Sequence, residues 1–197
     1  MIIPTYEQAK QYEKDYTYIP VCREILADDV TPILMLRKLA ALDGQYFLLE
    51  SVEGGNLGRY SFLGYHPKLS VSCKNGVVKV KENGMVRILP GKPKEALQSL
   101  LEQYRSPQIE GLPTFTGGLV GYFAYETIQY AEPKLHIKQS DVNDFELMMF
   151  DKLLAFDQVM HKLCIIVNAR TADGEAGYNK AVEEIDAFIE TLRTDSL

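Results

Sequence analysis

The chain has 197 residues, 46% of them hydrophobic, with 21 basic against 27 acidic residues and a formal net charge of −6. That length is enough to bury roughly two-thirds of the unfolded surface, so one compact domain with a real core is expected. The acidic balance argues against a nucleic-acid partner, because each neutralised phosphate needs a Lys or Arg facing it. No apolar run approaches the roughly 18 residues that span a bilayer, which argues against a membrane role.

The N-terminal Met1-Ile2-Ile3-Pro4 has neither a basic stretch nor a long apolar one, so a secretory signal is not expected. Cys22, Cys73 and Cys164 are odd in number, far apart and set among apolar neighbours. They read as reduced thiols behaving as small hydrophobes, which points to a cytoplasmic protein.

In chain order, Thr5-x-x-Gln8 is a capping-box pattern and predicts a short helix reaching Lys14. Tyr16 to Ile25 is rich in β-branched and aromatic residues. Thr31-Pro32 supplies an N-cap and a preorganised first helical position. Ile33, Leu36, Leu39 and Ala40 follow at helical spacing, so a helix is predicted from Pro32 to Leu42, with Gly44 as its stop.

From Tyr46 the period changes. Tyr46 to Val52 and Arg59 to Gly64 read as strands flanking a Gly-rich turn, hence a hairpin. Leu69 to Lys74, Val77 to Lys81 and Met85 to Leu89 read as a meander. Its turns are Asn75-Gly76 and Asn83-Gly84, residues that accept the positive φ of two-residue hairpin turns.

Pro93 opens an amphipathic helix to about Tyr104, with Ala96, Leu97, Leu100 and Leu101 on one face. Phe115 to Tyr125 is a Gly-rich strand or strand pair. Phe145 to Asp157 with Lys162 to Ala169 reads as one long hairpin turning near Gln158 to His161. Glu175 to Leu192 is a helix with Val182, Ile185, Phe188, Ile189 and Leu192 inward. The fold class expected is α+β: antiparallel sheets built from hairpins, sandwich-like, with helices packed outside.

Few constellations suggest chemistry. His66, His136 and His161 lie far apart without paired ligand spacing, and neither Ser51 nor Ser61 sits in a nucleophile elbow. Gly117-Gly118-Leu119-Val120-Gly121 lacks the Lys-Ser/Thr of a phosphate loop and runs into strand-forming residues, so its glycines read as sites of close backbone packing.

Phe47-Leu48-Leu49-Glu50-Ser51 is different, because it sets a carboxylate and a hydroxyl inside an apolar strand, where unpaired polar groups are costly. Two readings stand side by side. Glu50 pairs with Arg59 across the hairpin while Ser51 bonds to backbone, or the set binds a zwitterion. In the second reading Glu50 and Ser51 accept from an ammonium and Arg59 clasps a carboxylate.

These same residues carry a resemblance. Leu48-Leu49-Glu50-Ser51, Gly58-Arg59-Tyr60-Ser61-Phe62-Leu63-Gly64 and Pro113-x-Phe115-x-Gly117-Gly118-Leu119-Val120-Gly121-Tyr122, in this order and spacing, resemble the N-terminal region of anthranilate synthase component I. Thr31-Pro32 and the hairpin entered at Glu146 extend the likeness over essentially the whole chain, residues 1–197.

The resemblance implies the regulatory part of a large subunit that works with a glutamine amidotransferase subunit. Together they convert chorismate and ammonia to anthranilate and pyruvate in tryptophan biosynthesis. It implies that Ser51 helps hold L-tryptophan as feedback inhibitor, that Glu50 borders the same pocket, and that Arg59 stands where the family often has a basic residue near the effector. Chorismate and Mg²⁺ are bound in the family by a C-terminal catalytic half, expected after Leu197, so the isolated chain is expected to be inactive. Aminodeoxychorismate synthase component I and a standalone amino-acid-binding module are the competing readings.

Overall fold

The computed structural model describes residues 2–28, 30–42, 44–50, 58–132, 134, 135, 137, 138 and 140–194. The chain divides into two compact units. The first comprises Met1–His66, Tyr104–Gly117 and Asp151–Leu197, the second Pro67–Gln103 and Gly118–Phe150.

The first unit holds a six-stranded antiparallel sheet in the order β1-β2-β11-β10-β4-β3. Its strands are β1 (Ile2–Ile3), β2 (Tyr18–Leu26), β3 (Tyr46–Leu49), β4 (Tyr60–Tyr65), β10 (Lys152–Asp157) and β11 (Lys162–Arg170). Helices α1 (Tyr6–Ala9), α2 (Pro32–Leu42) and α4 (Gly174–Thr194) belong to the same unit.

Local chemistry explains the helix starts. The Thr5 hydroxyl accepts from the Gln8 amide and the Gln8 side chain accepts from the Thr5 amide, a complete capping box. Thr31 caps α2 by accepting from the Leu34 amide at 3.2 Å. One face of the sheet buries Val21, Leu63, Leu154, Leu163 and Ile165 together with Met35 and Leu39 of α2 and Ile185 and Phe188 of α4. Each such side chain, fully buried, contributes about 1.5–3 kcal/mol. Alternation leaves Cys22, Leu153, Ala155, Cys164 and Ile166 on the opposite face, and these too are buried.

The second unit holds a five-stranded antiparallel sheet in the order β7-β6-β5-β9-β8. It is built from β5 (Leu69–Lys74), β6 (Val77–Glu82), β7 (Met85–Leu89), β8 (Gly118–Phe123) and β9 (Phe145–Phe150), with helix α3 (Pro93–Glu102). Both hairpin turns form as expected, with φ of 50° and 77° at Asn75-Gly76 and 51° and 79° at Asn83-Gly84. A Cβ on Gly121 would lie 2.0 Å from the Glu146 carbonyl oxygen, so this glycine permits the β8–β9 approach.

The α+β class with hairpin-built antiparallel sheets is as expected, but two strand readings are corrected. Phe145 to Asp157 is not one strand. It breaks at Asp151, with β9 in one sheet and β10 in the other. The Asp151 carbonyl accepts from both the main-chain amide and the side-chain Nδ2 of Asn168, at 2.9 and 3.1 Å. That same Nδ2 also donates to the Thr116 carbonyl at 2.7 Å, and the break is held there. The strand read from Phe115 to Tyr125 shortens to β8. Residues Tyr125–Tyr130 instead form a 3-10 turn, tied down where the Tyr130 hydroxyl donates to the buried Asp144 carboxylate at 2.6 Å.

Candidate functional site

The residues of interest gather at one end of the β3–β4–β10 ladder. β3 is an edge strand paired to β4 through Tyr46↔Tyr65 to Leu49↔Phe62, and β4 pairs with β10 through Gly64↔Leu153 to Tyr60↔Asp157. Glu50 lies one step beyond the Leu49–Phe62 pair and is exposed. Arg59 lies just before β4, so both belong to the same end of the hairpin. Ser51 lies outside the described residues.

The expected Glu50–Arg59 pair is not what forms. Arg59 donates from Nε and Nη2 to the same oxygen of Asp157, Oδ2, at 3.0 and 2.6 Å. Asp157 wins because it is already organised. Its other oxygen accepts from the amides of Val159 and Met160, both at 3.0 Å, and its side chain is only 5% exposed. Burial pushes this carboxyl up, but the Arg59 guanidinium and the two turn amides outweigh it and hold it below the usual carboxylate range. A buried carboxylate with every partner supplied outcompetes an exposed one at the sheet edge, which water already solvates.

Around this pair the site is closely knit. The Arg59 guanidinium lies 5.0 Å from the Tyr60 ring centroid, and its carbonyl accepts from the Gln158 amide at 2.9 Å. Gln158 Nε2 donates to the fully buried Ser61 hydroxyl at 2.8 Å. Phe62 meets Phe115 edge to face at 5.5 Å. With the Nε–H and one Nη2–H donated to Asp157, the half-exposed Arg59 guanidinium has, among the described residues, three outward N–H groups left, two on Nη1 and one on Nη2, a fork that can meet an anion.

Asp157, Gln158 and Ser61 were not singled out from sequence as site residues. A usable signal existed: an acidic residue two and three positions ahead of the amides of a tight turn is a common side-chain cap.

At the opposite end of β4 and β10 lies a cavity of about 280 Å³ lined by Tyr65, Lys152, Leu154, Glu184, Phe188 and Thr191 among others. Lys152 and Glu184 are ion-paired at 2.6 Å and Tyr65 stacks on Phe188 at 5.4 Å. Burial, aided by the Glu184 charge, pushes the Tyr65 phenol up to about 12. Among the described residues no three His, Cys, Asp or Glu side chains converge to hold a metal ion. No described helix is long and apolar enough to cross a membrane.

No protein-family model matches the sequence. The fold, two hairpin-built antiparallel sheets with helices, is that of the crystal structure of anthranilate synthase component I from Streptococcus pneumoniae TIGR4. The match has a TM-score of 0.57 at 23% identity and covers 87% of this chain and 37% of that one.

Sequence carries the relationship further. Anthranilate synthase component 1 from Acetivibrio thermocellus is 36% identical over 190 residues, 94% of this chain and 38% of that protein. The Synechocystis protein of the same name is 33% identical over 202 residues, 98% of this chain and 40% of its own length. The chain is thus a homologue of anthranilate synthase component I, corresponding to its N-terminal region. It spans about two-fifths of the length of the curated relatives it matches.

Proposed function

We propose that this chain is the tryptophan-sensing, non-catalytic part of an anthranilate synthase component I in the cytoplasm, and that L-tryptophan is held by Ser51, Glu50 and Arg59. The supporting observation is the match of nearly the whole chain to proteins named for that activity. The geometry around Arg59 is compatible with it: a guanidinium anchored from behind by Asp157 offers a fixed Nη1 donor to the amino acid's carboxylate. Glu50, exposed beyond the end of β3, is free to accept from the ammonium.

In this reading chorismate and Mg²⁺ bind in the catalytic half that the longer relatives carry, and a glutamine amidotransferase subunit supplies ammonia. The sensing part then acts on turnover by binding tryptophan in one conformational state more tightly than in another.

Ser51→Phe in the complete protein tests this, because in this reading a bulky ring at that position fills the effector site. Chorismate turnover persists while tryptophan inhibition is lost. Unchanged inhibition in a folded variant removes Ser51 from the site. Growth of a folate-precursor auxotroph but not of a tryptophan auxotroph on the complete gene would move the chain to the aminodeoxychorismate branch.

A further inference from the structure

The charge of the chain is unevenly spread. Of its 21 basic and 27 acidic residues, six basic and one acidic lie between Lys74 and Lys94, so an acidic protein carries one strongly basic segment. That segment is the β6–β7 hairpin with its flanks, and β7 is an edge strand. Register places Val86 opposite Lys81 and Ile88 opposite Lys79, so both apolar side chains share a sheet face with these lysines. All four residues are exposed, Val86 and Ile88 at 62% and 65%.

The backbone adds an independent observation. The two-residue turn closes on the Glu82↔Met85 pair, which makes that pair and Val80↔Arg87 the hydrogen-bonded ones. Val86 and Ile88 therefore point their amides and carbonyls away from β6, toward the edge that has no partner strand among the described residues. Edge strands are ordinarily blunted by charge at these outward positions. Here the outward positions are apolar, and the charge stands beside them on β6.

We propose that the β7 edge accepts an extended, acidic segment of another protein as a sixth strand. Its backbone pairs with Val86 and Ile88, its apolar side chains cover theirs, and its carboxylates meet Lys79 and Lys81. A second copy of the same edge is disfavoured because it brings lysines against lysines. A lipid surface is disfavoured because the polar Asn83-Gly84 turn occupies the hairpin tip. Sinking Val86 and Ile88 into hydrocarbon would also leave the open-edge amides and carbonyls without partners.

The test uses the complete protein and two labelled synthetic peptides, one alternating Glu and Val and one alternating Lys and Val, followed by fluorescence anisotropy and amide exchange. The Glu-Val peptide binds, slows exchange at Val86 and Ile88, and weakens by about tenfold or more between about 50 and 300 mM salt. Lys79→Glu with Lys81→Glu abolishes binding. Ile88→Pro, which removes only an outward amide and is tolerated at an edge, weakens it about tenfold while leaving thermal stability intact.

Equal binding of both peptides, or protection confined to other strands, overturns the proposal. So does a dimer that protects Val86 and Ile88 without peptide. Tighter binding to phosphatidylserine vesicles or to a DNA oligonucleotide than to the Glu-Val peptide overturns it in favour of those surfaces.

Discussion

The two sheets treat charge in opposite ways. At the end of the six-stranded sheet a carboxylate is buried, and all of its acceptor capacity is filled by Arg59 and the Val159 and Met160 amides. At the edge of the five-stranded sheet, lysines and apolar side chains stand exposed side by side, beside outward backbone groups of β7. The first arrangement is fixed, because each polar group of the buried carboxylate is already paired. The second is open and adaptable, as docking of a chain segment requires.

The contrast breaks most severely in the cores. Leu163→Ala, at a fully buried position of the first unit, is expected to cost about 2–5 kcal/mol. Gly121→Ala, which forces a Cβ into the Glu146 carbonyl, is expected to cost at least the roughly 1–3 kcal/mol of overpacking. Amide exchange resolved by strand separates them: the first variant loosens β10 and β11, the second β8 and β9. If each loosens both sheets equally, the two units are one cooperative body.

Asp157→Asn comes next, with about 1 kcal/mol expected once the exposed arginine is discounted for solvent screening. The sign of its pH dependence follows from the lowered folded-state pKa. Stability from Asp157 is present above the ordinary carboxylate range, near pH 4, and is lost as pH falls through the folded value. Chemical denaturation of wild type and variant should therefore differ by a constant amount from about pH 6 to 8 and converge below about pH 4. A difference that grows on acidification contradicts this.

Thr5→Ala, which removes half of a capping box on a four-residue helix, is the smallest expected effect, at or below about 1 kcal/mol in thermal unfolding.

What the sequence discloses and what it conceals follow from range. The α2 limits, both Asn-Gly turns and the inward face of α4 rest on contacts within a few residues, and each is found where the pattern puts it. The division at Asp151 shows in sequence only as the charged Asp151-Lys152 pair between two apolar stretches of strand character, which one long half-exposed strand can also carry. Asn168, distant in sequence, holds the chain at the break.

Arg59's partner was hidden for the same reason. Glu50 is the nearer carboxylate along the hairpin, and Asp157 reaches Arg59 only because β10 pairs with β4 across 98 positions. Hairpin logic finds neighbours in sequence; the order of strands within a sheet decides which acid becomes buried and prepaid with amides.

The proposed function requires this region to bind L-tryptophan. Calorimetric titration of L-tryptophan into the complete protein, into Ser51→Phe and into Arg59→Ala tests it most directly. Saturable binding to the wild type, with loss in both variants and retained chorismate turnover, is the predicted result. Undiminished tryptophan binding in both folded variants would place the effector elsewhere and contradict the account.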